Sequence, residues 1–251
     1  MLRYQPTPEL LKHRTILVTG AGSGIGRAVA LGCAGAGATV ILLGRTVSRL
    51  EQVYDEIEQI GAPTPAITPL NLATAGTAQY DELGAALEST FGELHGLVHC
   101  ASDLGELGPL ATYDFEAWQR VMQVDVQAPY ILTRLLLPLL DKTADGSVIF
   151  TTADVGRRGR AYWGAYGVAQ FALEGMVQIW ADELQGAGRV RFNTLDPGPV
   201  RTAMRAAAYP AELPDTLARP EDVVTPYLYL LGADSRGRTG RAWGPADWKG
   251  D

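Results

Sequence analysis

Short β-branched or aliphatic runs alternate along this chain with longer amphipathic stretches, and that alternation restricts the fold more than any other feature of the sequence. The runs are Thr15–Val18, Thr39–Leu43, Ala66–Leu70, Gly96–His99, Ser147–Thr151, Val190–Leu195 and a weaker one at Arg241–Trp243. Between them the periodicity predicts helices over Ile25–Ala36, Val47–Ile60, Tyr80–Phe91, Phe115–Leu140, Tyr166–Leu184 and Glu221–Leu231. Strands that are apolar almost throughout need both faces covered, so the expected fold class is α/β: a doubly wound, mostly parallel sheet with helices on both faces. With 251 residues, 47% of them hydrophobic, the chain can bury one large core and is expected to form a single domain over 1–251. The segment Pro199–Arg219 is rich in Ala and Pro without a clean period. It reads either as a mobile flap over a site or as a plain surface connection.

Charge and cysteine usage exclude several function classes. The chain carries 21 basic against 28 acidic side chains, a formal charge of −7, and no Lys/Arg block to neutralise a phosphate backbone, so nucleic acid is not an expected partner. Cys33 and Cys100 have neither Cys-x-x-Cys nor His-paired spacing, which argues against a disulfide framework and a metal site and fits a reduced cytoplasm. Met1–Leu11 has no apolar core of a signal peptide. The weakly charged stretch Ala28–Gly44 is divided by glycines and by Thr39-Val40-Ile41 into helix, turn and strand, so no membrane span is expected.

Directly after the first strand, Thr19-Gly20-Ala21-Gly22-Ser23-Gly24-Ile25-Gly26 opens a helix. Gly20 permits a sharp turn, Gly24 lets backbone N–H groups approach a pyrophosphate, and Gly26 lets the helix pack closely on the strand. The spacing is Thr-Gly-x3-Gly-x-Gly rather than Gly-x-Gly-x-x-Gly. A glycine cluster alone says little, but strand before, helix after and a second strand following make it a dinucleotide site. At the end of the second strand, where a carboxylate would bind a ribose 2′-hydroxyl, the chain reads Leu42-Leu43-Gly44-Arg45. Arg45 is placed to pair with a 2′-phosphate, so NADP(H) is expected over NAD(H); a solvated arginine at a strand end is the alternative.

With Thr19–Gly26, the Ala-Tyr-Gly-Val-Ala-Gln run at 165–170 and Asp196-Pro197-Gly198-Pro199-Val200-Arg201-Thr202, the chain resembles the short-chain dehydrogenase/reductase family over nearly its whole length. Gly156–Leu184 together with Arg201–Arg205 is most similar to a bacterial subgroup, the YciK-like oxidoreductases. The resemblance implies a seven-stranded Rossmann-type sheet and hydride transfer between a nicotinamide and a small carbonyl or alcohol. It also implies a homodimer or homotetramer packed through the helices at 115–140 and 166–184; a hetero-oligomer in which this chain is the inactive member is a further expectation should its catalytic groups be lost. It places cofactor contacts on Gly20, Gly22, Ser23, Gly24, Ile25, Gly26, Arg45, Asn71, Leu72, Ala101, Tyr166, Gln170, Pro197, Gly198, Val200 and Thr202.

Of the family's catalytic Asn, Ser, Tyr and Lys, only the tyrosine is kept, as Tyr166. The lysine position four residues on is Gln170, the serine position is Ala153, and the asparagine position is Asp125. The motif after the fourth strand departs too, reading His99-Cys100-Ala101-Ser102. An unperturbed phenol has a pKa of about 10 and needs a neighbouring cation to ionise near neutrality. Gln170 supplies none, an ionised Asp125 opposes it, and Lys12, Lys142 and Lys249 lie elsewhere in the chain. Arg157, Arg158 and Arg160 follow the fifth strand and read first as a solvated loop or subunit contact.

Ala153 removes a hydroxyl that would stabilise developing charge, a loss typically of ~100 to 1000-fold in rate. Thr152 and Asp154 are not expected to replace it, because strand neighbours face opposite ways. The expectation is a dinucleotide-binding protein with its family reaction very weak or lost; the alternative is an active oxidoreductase using Tyr166 with unusual helpers. Asp125 is expected to accept from the Gln170 amide or from backbone N–H groups near Cys100. Cys100 reads as a small buried hydrophobe, His99 as a satisfied strand-end histidine, Tyr162 and Trp163 as cleft residues, and Trp118 and Trp180 as core or interface.

Overall fold

Each strand of this chain alternates its side chains between two apolar layers, and the helices that cover those layers set the architecture. The computed structural model describes residues 4–186 and 188–248; expectations that touch Met1–Arg3 and Lys249 lie outside the described residues. Strands β1 (Thr15–Thr19), β2 (Thr39–Gly44), β3 (Ala66–Pro69), β4 (Gly96–His99), β5 (Gly146–Thr151), β6 (Val190–Leu195) and β7 (Arg241–Trp243) form one seven-stranded sheet in the order β3-β2-β1-β4-β5-β6-β7. Every pairing is parallel. The helices are α1 (Gly24–Gly35), α2 (Val47–Gln59), α3 (Thr77–Phe91), α4 (Phe115–Met122), α5 (Ala128–Asp141), α6 (Gly164–Glu183), α7 (Ala203–Ala208) and α8 (Thr225–Leu231).

Ile16, Val18, Val40 and Leu42 point to one face, where α1, α2 and α8 bury Val29, Cys33, Leu50, Ile57 and Leu231 against them. Leu17, Ile41, Leu43, Leu97, Val148 and Phe150 point to the other, under Leu83 and Leu87 of α3, Leu132 and Leu136 of α5, and Leu173 and Val177 of α6. The expected doubly wound Rossmann-type architecture is the one observed.

Charge is buried at the opposite end of the sheet from the glycine turn. Asp145, just before β5, accepts from Arg14 Nη2 at 2.7 Å and Arg191 Nε at 3.1 Å, and Arg236 Nε lies 3.4 Å away. Arg191 also donates to the Leu230 carbonyl at 2.8 Å and to Ser235. These bonds tie the N-terminal ends of β1, β5 and β6 to the end of α8 and the segment after it, at the end of the sheet opposite the glycine turn.

Several boundaries differ from those read in the sequence. The single helix expected over Phe115–Leu140 is broken by a π-helical turn at Gln123–Gln127, which separates α4 from α5. No Gly or Pro interrupts 115–128, so the periodicity carries no mark of this turn. It sets Asp125 against the loop after β4. Helix α3 begins at Thr77, and the expected 221–231 helix divides into a 3-10 turn at Pro220–Val223 followed by α8. The 199–219 segment contains the short α7, a bridge pairing Val200 with Ala218, and ion pairs Arg201–Asp215 and Arg205–Glu212.

Candidate functional site

The sheet order reverses between β1 and β4, and a cavity of about 980 Å³ opens there at the C-terminal ends of the strands. The glycine turn forms one end. Gly20 has φ of +66°, and a Cβ there would stand 2.9 Å from the Ala101 backbone nitrogen, so only glycine lets the loop pass this close to β4. A Cβ on Gly26 would collide with the Gly20 carbonyl oxygen, which fixes α1 tightly on the turn. Ser23 stands at the N-cap of α1 and makes no side-chain cap to it. The first-turn N–H groups and the positive end of the helix are thus offered to an anion in the cavity. A cradle this small, lined by backbone donors, fits a pyrophosphate.

Gly20, Gly22, Ser23, Gly24, Ile25, Gly26, Arg45, Asn71, Leu72, Ala101, Tyr166, Pro197, Gly198, Val200 and Thr202 all line the cavity. Of the residues expected to contact a cofactor, Gln170 alone does not. It is buried and packed behind Gly156, and its Oε1 has no hydrogen-bond partner among the described residues. Beside Arg45 the wall includes Thr46 and Arg49, the latter in the first turn of α2. Arg49, four residues after Arg45, is thus a second basic residue at this end, one the sequence analysis did not single out.

At the other end, Tyr166 enters from α6, Ala153 and Asp154 follow β5, and Asp196 follows β6. Because β5 ends at Thr151 and a 3-10 turn begins at Asp154, the strand rule that kept Asp154 out of the site does not apply, and its residue forms part of the wall. Thr152 also borders the cavity, but its hydroxyl donates to Glu174 Oε1 at 2.9 Å. Glu174 further accepts from Thr194 Oγ1 and Arg157 Nε, binding α6 to β5 and β6. Arg157 donates again to the Trp243 carbonyl, whereas Arg160 reaches the cavity and pairs with Asp154. Trp163 lies 5.8 Å from the Tyr166 ring and 5.9 Å from Tyr209 of the 199–219 segment. Arg205, bidentate to Glu212, stacks 3.8 Å from the Tyr209 ring centroid. Tyr162, expected at the cleft, is instead exposed and absent from the cavity wall.

Asp125 is buried and takes its hydrogen bonds from Ser102 Oγ at 2.5 Å and the Asp103 amide at 2.7 Å. Its partner is therefore the backbone just beyond Cys100 and the Ser102 hydroxyl, not the Gln170 amide, because the π-turn presents it to that loop. Burial pushes its carboxyl up to about 8, against the pull of the Ser102 and Asp103 donors. Burial also raises the Tyr166 phenol well above its ordinary value, and the charges of Asp125, Asp196 and Asp154 raise it further. Lys12 pairs with Glu9 and Lys142 with Glu88, so neither lysine serves this end. Cys100 shares a 3.3 Å contact with Thr151 Oγ1 and its thiol is pushed up to about 12 by burial, while His99 bonds Thr133 and is held down to about 3 by burial. Burial thus favours the neutral form of both; Cys100, half-buried, also borders the cavity.

A profile of the short chain dehydrogenase family matches residues 14–213. The chain is 46% identical over 239 residues to the uncharacterized oxidoreductase YciK of Escherichia coli (strain K12), covering 95% of this chain and 94% of that one. Among solved structures, a short chain dehydrogenase from Pseudomonas syringae superposes with a TM-score of 0.95 at 51% identity, over 97% of this chain and 99% of that chain. Another, from Shigella flexneri 2a str. 301 and complexed with NADP, gives 0.92 at 44% identity over 95% of this chain and 99% of that chain. With its reversed strand order, its glycine turn and its tyrosine at the head of α6, the chain belongs to the short chain dehydrogenase family.

Proposed function

We propose that this chain binds NADP(H) in the cleft and that the family's hydride transfer is very weak or lost in it. The observation that carries the reading is the isolation of Tyr166: its phenol sits among Asp125, Asp154 and Asp196, with Gln170 buried behind Gly156 and no hydroxyl at Ala153. When bound, the nicotinamide supplies or accepts the hydride. Tyr166 then has to hold or release a proton at its phenolic oxygen, and these surroundings keep that proton in place.

The nucleotide half is in better order. Gly20, Gly24 and Gly26 would hold the pyrophosphate, Asn71 and Leu72 border the adenosine side, and Arg45, Thr46 and Arg49 form a basic corner for a 2′-phosphate. The NADP complex of the Shigella relative supports the same choice. The exposed apolar side chains Tyr130 of α5 and Val168, Phe171 and Ile179 of α6 support a homodimer or homotetramer packed through these helices. The 199–219 segment, which lines the cleft through Met204, Arg205 and Tyr209, is the movable cover of this reading.

A second reading is favoured by one observation: Tyr166 forms part of the cavity wall and its burial favours the protonated phenol, the state a carbonyl reductase needs in order to protonate an alkoxide. Fluorescence titration with NADPH followed by a panel of carbonyl substrates, read at the nicotinamide absorbance, separates the two. Tight binding without turnover supports the first; robust turnover abolished by Tyr166→Phe supports the second. No helix among the described residues is long and apolar enough to cross a membrane.

A further inference from the structure

We infer that the nicotinamide end of this cleft selects the oxidised, cationic ring, so that the chain holds NADP⁺ more tightly than NADPH. The inference rests on the dinucleotide reading above and adds which redox form occupies the site. A dinucleotide lying across the reversal in strand order, with its adenosine toward Arg45 and Asn71, places its other half over the ends of β4, β5 and β6.

Of the acidic side chains that line the cavity, only Asp196 makes no ion pair among the described residues. Asp154 pairs with Arg160, Asp103 with Arg120, Glu174 with Arg157, and Glu212 with Arg205. Asp125 lies behind Ser102. Asp196 lines the cavity, is 8% exposed, and makes no ion pair among the described residues. Its Oδ1 accepts from the Gly198 amide at 2.8 Å, which fixes the carboxylate at the edge of β6. Burial pushes its carboxyl up, against the pull of the Gly198 amide and of Arg157, whose guanidinium already serves Glu174 and the Trp243 carbonyl. Gln170, buried and neutral, adds no counter-charge.

NADP⁺ and NADPH differ at the ring by one positive charge and are otherwise nearly the same ligand. A fixed negative charge beside the ring therefore acts on the difference between them and leaves the shared phosphate and ribose contacts unchanged. Because Asp196 is itself buried, such an interaction is only partly screened. The bound couple is thereby made harder to reduce, and occupancy of the cleft follows the oxidised fraction of the cofactor. A chain with its catalytic groups missing would then report the state of a cofactor pool rather than change it.

The test is calorimetric titration of the full chain with NADP⁺ and with NADPH at neutral pH, in the wild type and in two variants. The wild type is expected to favour NADP⁺ on the order of tenfold. Asp196→Asn keeps an oxygen for the Gly198 amide but removes the charge, and should bring the ratio of the two dissociation constants toward one. Arg160→Gln uncovers the charge of Asp154 and should move the ratio further toward NADP⁺, an arm that stands alone if Asp196→Asn fails to fold. Equal or tighter binding of NADPH by the wild type, or a ratio that neither substitution moves, overturns the preference while leaving the dinucleotide reading intact. Binding of neither form overturns both.

Discussion

Tyr166 and Gln170 stand one helical turn apart on α6, yet the phenol forms part of the cleft wall while the amide is buried behind it. A Cβ on Gly156 would lie 2.7 Å from the Gln170 Cβ, so the turn after β5 closes directly over this side chain. The position four residues after the tyrosine thus carries a buried neutral amide and supplies no charge to the phenol. A cation at 170 alone is therefore not expected to restore activity, because the hydroxyl at 153 is also missing and burial still holds the phenol protonated.

The triple variant Ala153→Ser, Gln170→Lys, Asp125→Asn is expected to raise turnover of a simple ketone with NADPH by about 100-fold or more over the wild type. Adding Tyr166→Phe should abolish the gain. The tyrosinate absorbance of the triple variant should appear at lower pH than in the wild type. A wild-type chain that already matches the triple variant would contradict the account.

The basic corner makes a separate prediction about the cofactor. Arg45 and Arg49 both border the cavity beside Gly22, where a Cβ would come within 3.0 Å of the Arg49 Cβ. Replacing either by Ala should weaken NADPH binding about 10-fold, the size of a lost hydrogen bond to a charged group, with little effect on NADH. Parallel titrations with both dinucleotides check this, and an equal loss for both would show that neither side chain reads the 2′-phosphate.

Much of this was legible in the sequence because it is local. The glycine turn, the strand before it and the helix after it are contiguous, so Gly20 and Gly26 could be given their roles before any contact was known. Ala153, Asp125 and Gln170 were located by position through the family resemblance. What the sequence did not show depends on chain ends meeting at long range or on a small change of backbone path. Asp154 entered the wall because β5 stops at Thr151, and Asp125 met Ser102 because a helix widened by one residue. Asp196 gained importance only when the ion pairs around it had been assigned, each joining residues that no periodicity connects.

The charged cluster at the far end of the sheet is the clearest case of such long-range dependence. Arg14 and Arg191 reach Asp145 across 131 and 46 residues of sequence, and all three are mostly buried. Asp145→Asn would leave two guanidinium groups without a neutralising partner. The expected loss is ~3–5 kcal/mol of stability, as for other broken buried pairs, measured by urea unfolding. A loss below ~1 kcal/mol would mean that water already reaches the cluster.

Asp125 gives a prediction in which the sign of the pH dependence is decisive. Its carboxyl is pushed up to about 8 in the folded chain by burial, against about 4 when unfolded. Below the unfolded value the group is neutral in both states and its contribution to stability is fully present. Between the two values the folded chain retains a proton that the unfolded chain has lost, so stability falls as pH rises, at up to ~1.4 kcal/mol per pH unit. Above the folded value the charge is buried and the loss is complete. Asp125→Asn has no such titration, and any change it makes in the bonds to Ser102 and Asp103 is a constant offset. The stability of the variant minus that of the wild type should therefore grow as pH is raised from about 4 to about 8 and then level off. Urea unfolding of both proteins across that range measures it directly. A difference that stays flat would show that Ser102 and the Asp103 amide hold the carboxylate ionised at neutral pH, and the electrostatic isolation of Tyr166 would then come from a true negative charge at its side.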